Sequence, residues 1–243
     1  MPTTNVTLAW APLRHATFRA LWLATLESNL GTWMQSVAAA WLMTSLTSSP
    51  FVIAMVQAAS TLPVFLLGLA AGAMADSVNR RRLLLITQAW MCAAACALSV
   101  AAFLHTVSAP LLLALTFTIG LGSAMGGPAW QAIVSELVPK EEIALAVSLN
   151  SAGFNLARAA GPAVAGLILA KAGPGFIFLL NGLSFVWVLC VLYRWQEAPC
   201  TNILPVEHLG GATRAGIRYL WNAPNLKRVL GRTVLFAIPA SAL

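Results

Sequence analysis

Long apolar stretches without a charged side chain alternate along this chain with short polar segments, and the alternation predicts its elements. Pro50 to Ala75 and Leu83 to Leu104 are two such stretches. Each exceeds the ~20 residues that an α-helix needs to cross ~30 Å of hydrocarbon. Between them Asp76, Arg80, Arg81 and Arg82 crowd into a few positions, so this segment is expected to be a tight loop at a membrane surface. A first span is expected from about Phe18 to Thr44, with Glu27 inside it, and a fourth within Val107 to Ser135. A fifth falls within Ile143 to Ala170, with Arg158 as its charge, and a sixth within Ala172 to Tyr193. A seventh apolar run opens at Thr233 and reaches Leu243, about half a crossing.

The expected class is therefore an all-α polytopic membrane protein. Residues 1–17 form an amino-terminal segment, 18–193 a six-helix transmembrane bundle, 194–232 a basic linker, and 233–243 the start of a further helix. Composition agrees: 59% of residues are hydrophobic and 9% charged, against roughly a quarter charged in a soluble domain. The net charge of +7 does not indicate nucleic-acid binding, because the basic residues are dispersed between apolar spans and form no stripe. They do set an orientation. Arg14, Arg19, Arg80, Arg81, Arg82, Lys140, Arg194, Arg214, Arg218, Lys227 and Arg228 fall on one side of a six-span zigzag, and Lys171 falls on the other. The positive-inside rule then puts the amino terminus and the linker in the cytoplasm of a cell whose inner membrane holds the protein. The first apolar segment is too long for a cleaved signal and carries Glu27, so it is expected to remain in the protein.

Other chemistry finds little support in the sequence. Cys92 and Cys96 share a helix face, which suits either a metal-ligand pair or small apolar packing. Packing is preferred because no His, Asp or Glu lies in that span. Cys190 and Cys200 make no disulfide framework. No Gly-x-x-x-x-Gly-Lys-Ser/Thr loop occurs to cradle a nucleotide, so neither an enzyme nor a cofactor is expected.

The hairpin Gly72-x-x-x-Asp76-x-x-Asn79-Arg80-Arg81-Arg82 resembles the signature loop of the major facilitator superfamily. Gly72 permits close helix approach. Asp76 suits a helix amino terminus or an arginine partner, and the arginines hold the loop among headgroups. The resemblance makes this segment a gating loop. Two positions depart from the family pattern, Ser77 for a basic residue and Asn79 for Gly. Asn is expected to tolerate the left-handed turn that Gly would supply. In the fifth span, Asn155-Leu-Ala157-Arg158-Ala-Ala-Gly161-Pro162 is similar to the Gly-Pro motif of exporters in this superfamily. Gly153, Ala157, Gly161 and Ala165 recur every four residues and offer a small face for another helix, and Pro162 favours a kink. Leu137 to Arg158 and Gly216 to Lys227 resemble the bacterial facilitators that include the enterobactin exporter and macrolide efflux proteins.

The resemblance implies a secondary transporter that exports a small organic molecule, drug-like or siderophore, by proton antiport. Superfamily members have two six-helix halves, so the chain reads as one half of a protein about twice as long, completed by a second half or by self-association. A second reading is a non-transporting six-span subunit of a larger export complex. Glu27 and Arg158 are expected to meet the transport route because ionisable groups within spans usually face a bundle interior or a water cavity. Gln35 and Asn155 join them by helical spacing: Glu27, Gly31 and Gln35 are four apart, and Ser151, Asn155, Arg158 and Pro162 fall in one arc. A gating or packing role for Arg158 is equally open. Glu27 is the expected proton-coupling acid, or else a structural partner of Arg158. Thr116, Ser123 and Gln131 of the fourth span are expected on the same route, with Trp33, Trp41 and Trp130 either stacking on substrate or anchoring the protein at the membrane interface.

Overall fold

The computed structural model describes residues 10–77, 79–195 and 232, with only the backbone described at 69–70 and 72–77. The gating-loop side chains of Gly72 and Asp76, the linker beyond Trp195 apart from Arg232, and the run at 233–243 lie outside the described residues. The rest is helical, and no strand occurs among the described residues. The long helices are α1 (Ala16–Leu46), α2 (Pro50–Ser77), α3 (Arg80–Phe103), α4 (Ala109–Val134) and α5 (Ile143–Arg194). Four described helical stretches are long and apolar enough to cross a membrane: Pro50–Gly68, Arg80–Phe103, Ala109–Val134 and Lys140–Arg194.

The last of these holds a break. Helical dihedrals run through Pro162 and fail at Gly173, where φ is 76° and ψ 178°. A positive φ is open to Gly without the steric cost that a Cβ imposes, and Pro174 follows. Two helical legs, 143–172 and 174–194, thus meet at a single residue, close to the junction of the expected fifth and sixth spans.

Where the legs and helices touch, the side chains are small. Gly153, Ala157, Gly161 and Ala165 are buried, and the first leg lies against α1 along them. A Cβ on Gly161 would stand 2.6 Å from Trp33 Cβ. On the second leg, Gly182 approaches Cys96 of α3, and Ser99 Oγ of α3 donates to the Gly175 carbonyl at 2.9 Å. Helix α2 meets α4 at a proline-made gap. Pro63 has no N–H to bond the carbonyl one turn earlier, that of Ala59. Gly120 of α4 packs there, with its would-be Cβ 2.7 Å from the Ser60 oxygen and 3.2 Å from that of Ala59. Since lipid is as apolar as Leu, such close backbone packing is what holds helices together in a bilayer. The outward faces carry large apolar groups such as Phe51, Phe65, Ile86 and Leu167, all exposed.

Polar bonds fasten one end of the bundle. Asn79 does not take the left-handed conformation expected of it. Its φ is −54°, and its side chain caps α3 by accepting the Arg82 amide at 2.8 Å. The cap satisfies a helix-terminal donor and leaves no need for a glycine-like turn there. Arg80 pairs with Glu136, just past α4. Arg81 donates from Nε to the Leu192 carbonyl at 3.0 Å and from Nη2 to that of Tyr193 at 2.6 Å, which caps the end of α5. His15 Nε2 meets Glu142 Oε2 at 3.1 Å and ties the start of α1 to the α4–α5 connection.

Candidate functional site

Helix α1 gives one face to a cavity of about 450 Å³. Thr25, Ser28, Asn29, Thr32 and Ser36 line it from α1, Gln57, Ser60 and Thr61 from α2, Gln88 from α3, and Ser123 and Gln131 from α4. Trp33, Trp130 and Phe154 supply aromatic surface. A smaller cavity of about 130 Å³ continues it toward the far half of α1, sharing Thr32, Ser36, Gln57, Ser60, Met91 and Ser123 and adding Gln35 and Thr116. Beyond, Met34, Ala38, Met43, Val56, Leu98, Leu112 and Phe178 form an apolar cluster. The space is therefore wide near the start of α1 and tapers toward its end.

No lining side chain is charged. Three α1 hydroxyls spend their protons inside the helix: Thr25 donates to the Leu21 carbonyl at 2.7 Å, Thr32 to that of Ser28 at 2.9 Å, and Ser36 to that of Thr32 at 3.0 Å. Back-bonding of this kind leaves oxygen lone pairs toward the space. Two buried atoms in the lining, Gln88 Oε1 and Thr116 Oγ1, have no hydrogen-bond partner among the described residues.

The residues expected on the transport route divide. Gln35 lines the smaller cavity, and its Oε1 accepts from Asn181 Nδ2 at 2.5 Å inside the core. Glu27 is exposed and absent from the lining. Nine residues separate it from Ser36, about two and a half turns, which sets it on the opposite side of α1. Four-residue spacing from Glu27 through Gly31 to Gln35 drifts about 40° per step, so Gln35 lies nearer the cavity side of α1 than Glu27 does. Asn155 and Arg158 are exposed too, outside the lining. Asn155 Nδ2 donates to the Ser151 carbonyl at 2.8 Å. Arg158 makes no ion pair with Glu27. Its guanidinium stands over the Trp33 ring, 5.7 Å from the centroid, and Phe154 meets the same ring edge-on at 6.0 Å. Arg158 thus sits at the rim of the cavity whose wall Trp33 and Phe154 form. Trp41 is half exposed and does not line it.

Sequence reasoning did not single out Asn29, Gln57, Gln88, Glu136 or Asn181. Polar residues of α1 at 25, 28, 29, 32 and 36 recur with helical period, and that signal was available in the sequence. Asn181, wholly buried, carried no signal beyond being polar in an apolar span.

An apolar helical bundle with an uncharged polar cavity between α1, α2 and α4 has the build of a membrane transporter. The chain belongs to the transmembrane secretion effector family of the major facilitator superfamily, matching it over residues 7–243. It is 31% identical over 165 residues to the staphyloferrin A transporter of Staphylococcus aureus, covering 67% of this chain and 42% of that protein. It is 27% identical over 222 residues to the multidrug efflux pump Tap of Mycolicibacterium fortuitum, covering 84% and 52%. With macrolide efflux protein A of Streptococcus pyogenes it shares 24% over 151 residues, covering 62% and 37%. The chain spans about half the length of the curated relatives it matches, or less.

Proposed function

We propose that this chain forms the six-span amino-terminal half of a secondary transporter that exports a small organic molecule from the cell in exchange for protons. The carrying observation is the tapering, uncharged, hydrogen-bonding cavity with aromatic walls, which suits an organic solute better than a bare ion. The α5 break at Gly173 supports six crossings, as it turns one long apolar stretch into two legs. The distribution of Lys and Arg supports a cytoplasmic amino terminus, which directs the wide end of the cavity to the cytoplasm. The names of the relatives, siderophore and drug transporters, support export of an organic compound.

Within this proposal, Gly72, Asp76, Arg80, Arg81 and Arg82 form the gating segment. Arg80 and Arg81 support it, since they join the start of α3 to the ends of α4 and α5. Glu27 is the proton-exchanging acid, the one carboxylate among the described side chains of α1 to α5. Its place away from the cavity makes its coupling to substrate indirect. A second six-helix half closes the open side of the cavity, where Asn155 and Arg158 would otherwise meet lipid at a cost.

The test uses everted vesicles from cells expressing the gene in its natural reading frame, with accumulation of fluorescent organic compounds as the readout. The expected result is accumulation that collapses with the pH gradient, ignores ATP, and is abolished by Gly127→Trp. Gly127 lines the cavity, and a Cβ there meets nothing within 4 Å, so a bulky side chain starts in open space and occupies the cavity. Accumulation that needs ATP, or that survives this block, would refute the proposal.

A further inference from the structure

Within the proposed transport role, we infer that the cavity selects an organic anion: a carboxylate-bearing molecule that also carries hydroxyl or amide donors. This assignment rests on the reading of the cavity as a substrate site and specifies its chemistry.

Charge is distributed around the cavity in one way only. The lining has no carboxylate to receive a cationic compound. The acid of the same helix, Glu27, is on the far side of α1. The Arg158 guanidinium stands over the ring of Trp33, which lines the cavity. No acceptor or carboxylate among the described residues engages its N–H groups. A guanidinium carries five donors in a planar fork that matches a carboxylate, and stacking on an aromatic ring fixes its plane while leaving the edge free. Arg158 therefore stands beside Trp33, with its donors available to an anionic group that lies along the Trp33 and Phe154 wall.

The inner surface offers hydroxyl and carbonyl oxygens as acceptors beside the amide N–H donors of Asn29, Gln57, Gln88 and Gln131. Thr25, Thr32 and Ser36 use their protons on their own helix and offer lone pairs. Ser60 and Thr61 do the same, each donating to the Gln57 carbonyl at 2.9 Å. Gln88 is about nine-tenths buried with an unpartnered Oε1, and Thr116 is equally buried with an unpartnered Oγ1. A buried acceptor without a donor is destabilising until something supplies one. A solute with its carboxylate at Arg158 and its hydroxyl or N–H groups directed inward satisfies both ends. A solute with a cationic head would place it against Arg158 with no counter-charge in the lining.

The purified protein in lipid nanodiscs is dialysed against 6-hydroxy-2-naphthoate and, separately, against 6-hydroxy-2-naphthamide, which has the same shape without the charge. The wild type is expected to prefer the carboxylate by about 10- to 100-fold, the usual range for a hydrogen bond to a charged group. Arg158→Gln should erase that preference, bringing the carboxylate and amide affinities together, and Arg158→Lys should keep part of it. Circular dichroism confirms that each variant is folded. Equal carboxylate-to-amide ratios in wild type and Arg158→Gln overturn the anion assignment, as does failure of the carboxylate to bind at millimolar concentration. Gly127→Trp separates the two levels. Amide binding that it blocks, without carboxylate preference, sinks the anion assignment and keeps the cavity as a solute site. Binding that it leaves untouched sinks both.

Discussion

Replacing Gly120 and Gly127 by alanine, one at a time, isolates the close packing of α2 on α4 from every other consequence of adding a methyl group. Both glycines lie in α4. Each exchange therefore brings the same gain in intrinsic helix propensity, roughly 1 kcal/mol, which cancels in the comparison. What differs is the space. The Gly127 Cβ meets nothing within 4 Å, whereas the Gly120 Cβ would lie 2.7 Å from the Ser60 carbonyl oxygen, 3.2 Å from that of Ala59 and 3.2 Å from Pro63 Cγ. Two of those atoms are backbone and the third belongs to a ring, so no side chain can swing aside. The helices must separate, losing dispersion contacts along their whole seam. Overpacking of this kind costs about 1–3 kcal/mol, and Gly120→Ala should be less stable than Gly127→Ala by that amount. The measurement is SDS-driven unfolding of the protein in mixed micelles, followed by tryptophan fluorescence. Equal midpoints for the two variants, or a more stable Gly120→Ala, would refute the packing assigned to α2 and α4.

Further outcomes follow from other contacts. Gln35→Leu strands the Asn181 amide in the core, and a double-mutant cycle with Asn181→Ala in the same unfolding assay should give a coupling of about 0.6–2 kcal/mol; additivity would show that the bond is worth nothing. Arg80→Ala and Glu136→Ala should each cost less than about 1 kcal/mol, with the cost shrinking as salt is added, because the pair is part exposed. A salt-independent loss of several kcal/mol would contradict that. Glu27→Gln should leave solute binding in the cavity unchanged while altering the pH dependence of flux, and a binding defect would place the acid nearer the cavity than α1 does. Periplasm-active reporters fused after Thr47, Thr106 and Gly173 should be active and those at Asn79, Lys140 and Cys200 silent; activity at Asn79 would reverse the proposed orientation.

Much of the helical plan was legible because the membrane imposes a length and an absence of charge that a linear scan detects. The recurring Gly153, Ala157, Gly161 and Ala165 were also legible as a packing face, since small side chains at helical spacing have few other uses. The lining of the cavity was only half legible. Charge drew attention to Glu27 and Arg158, yet a charged group in a span marks only that something compensates it, not which way it faces. Glu27 turns from the cavity because its angle around α1 is fixed by the residues that pack on the legs of α5, Gly31 and Met34 among them. Those contacts are long-range and leave no trace in local spacing. The neutral residues Asn29, Gln57 and Gln88 line the cavity without any charge to advertise them. Asn79 was read through the glycine it replaces, and its capping role depends on where α3 begins.

Helix α1 is a wall with two tenants. Toward α5, Gly161 leaves so little room that its missing methyl would meet Trp33 Cβ, and Arg158, one turn earlier, stands over the ring of the same Trp33, which also lines the cavity. Selection for an altered range of exported compounds need not act inside the cavity. Variants enlarged at Gly161 would push Trp33, shift the guanidinium with it and reshape the opening from behind, so sequencing of adapted strains should be read across the α1–α5 seam as closely as along the cavity itself.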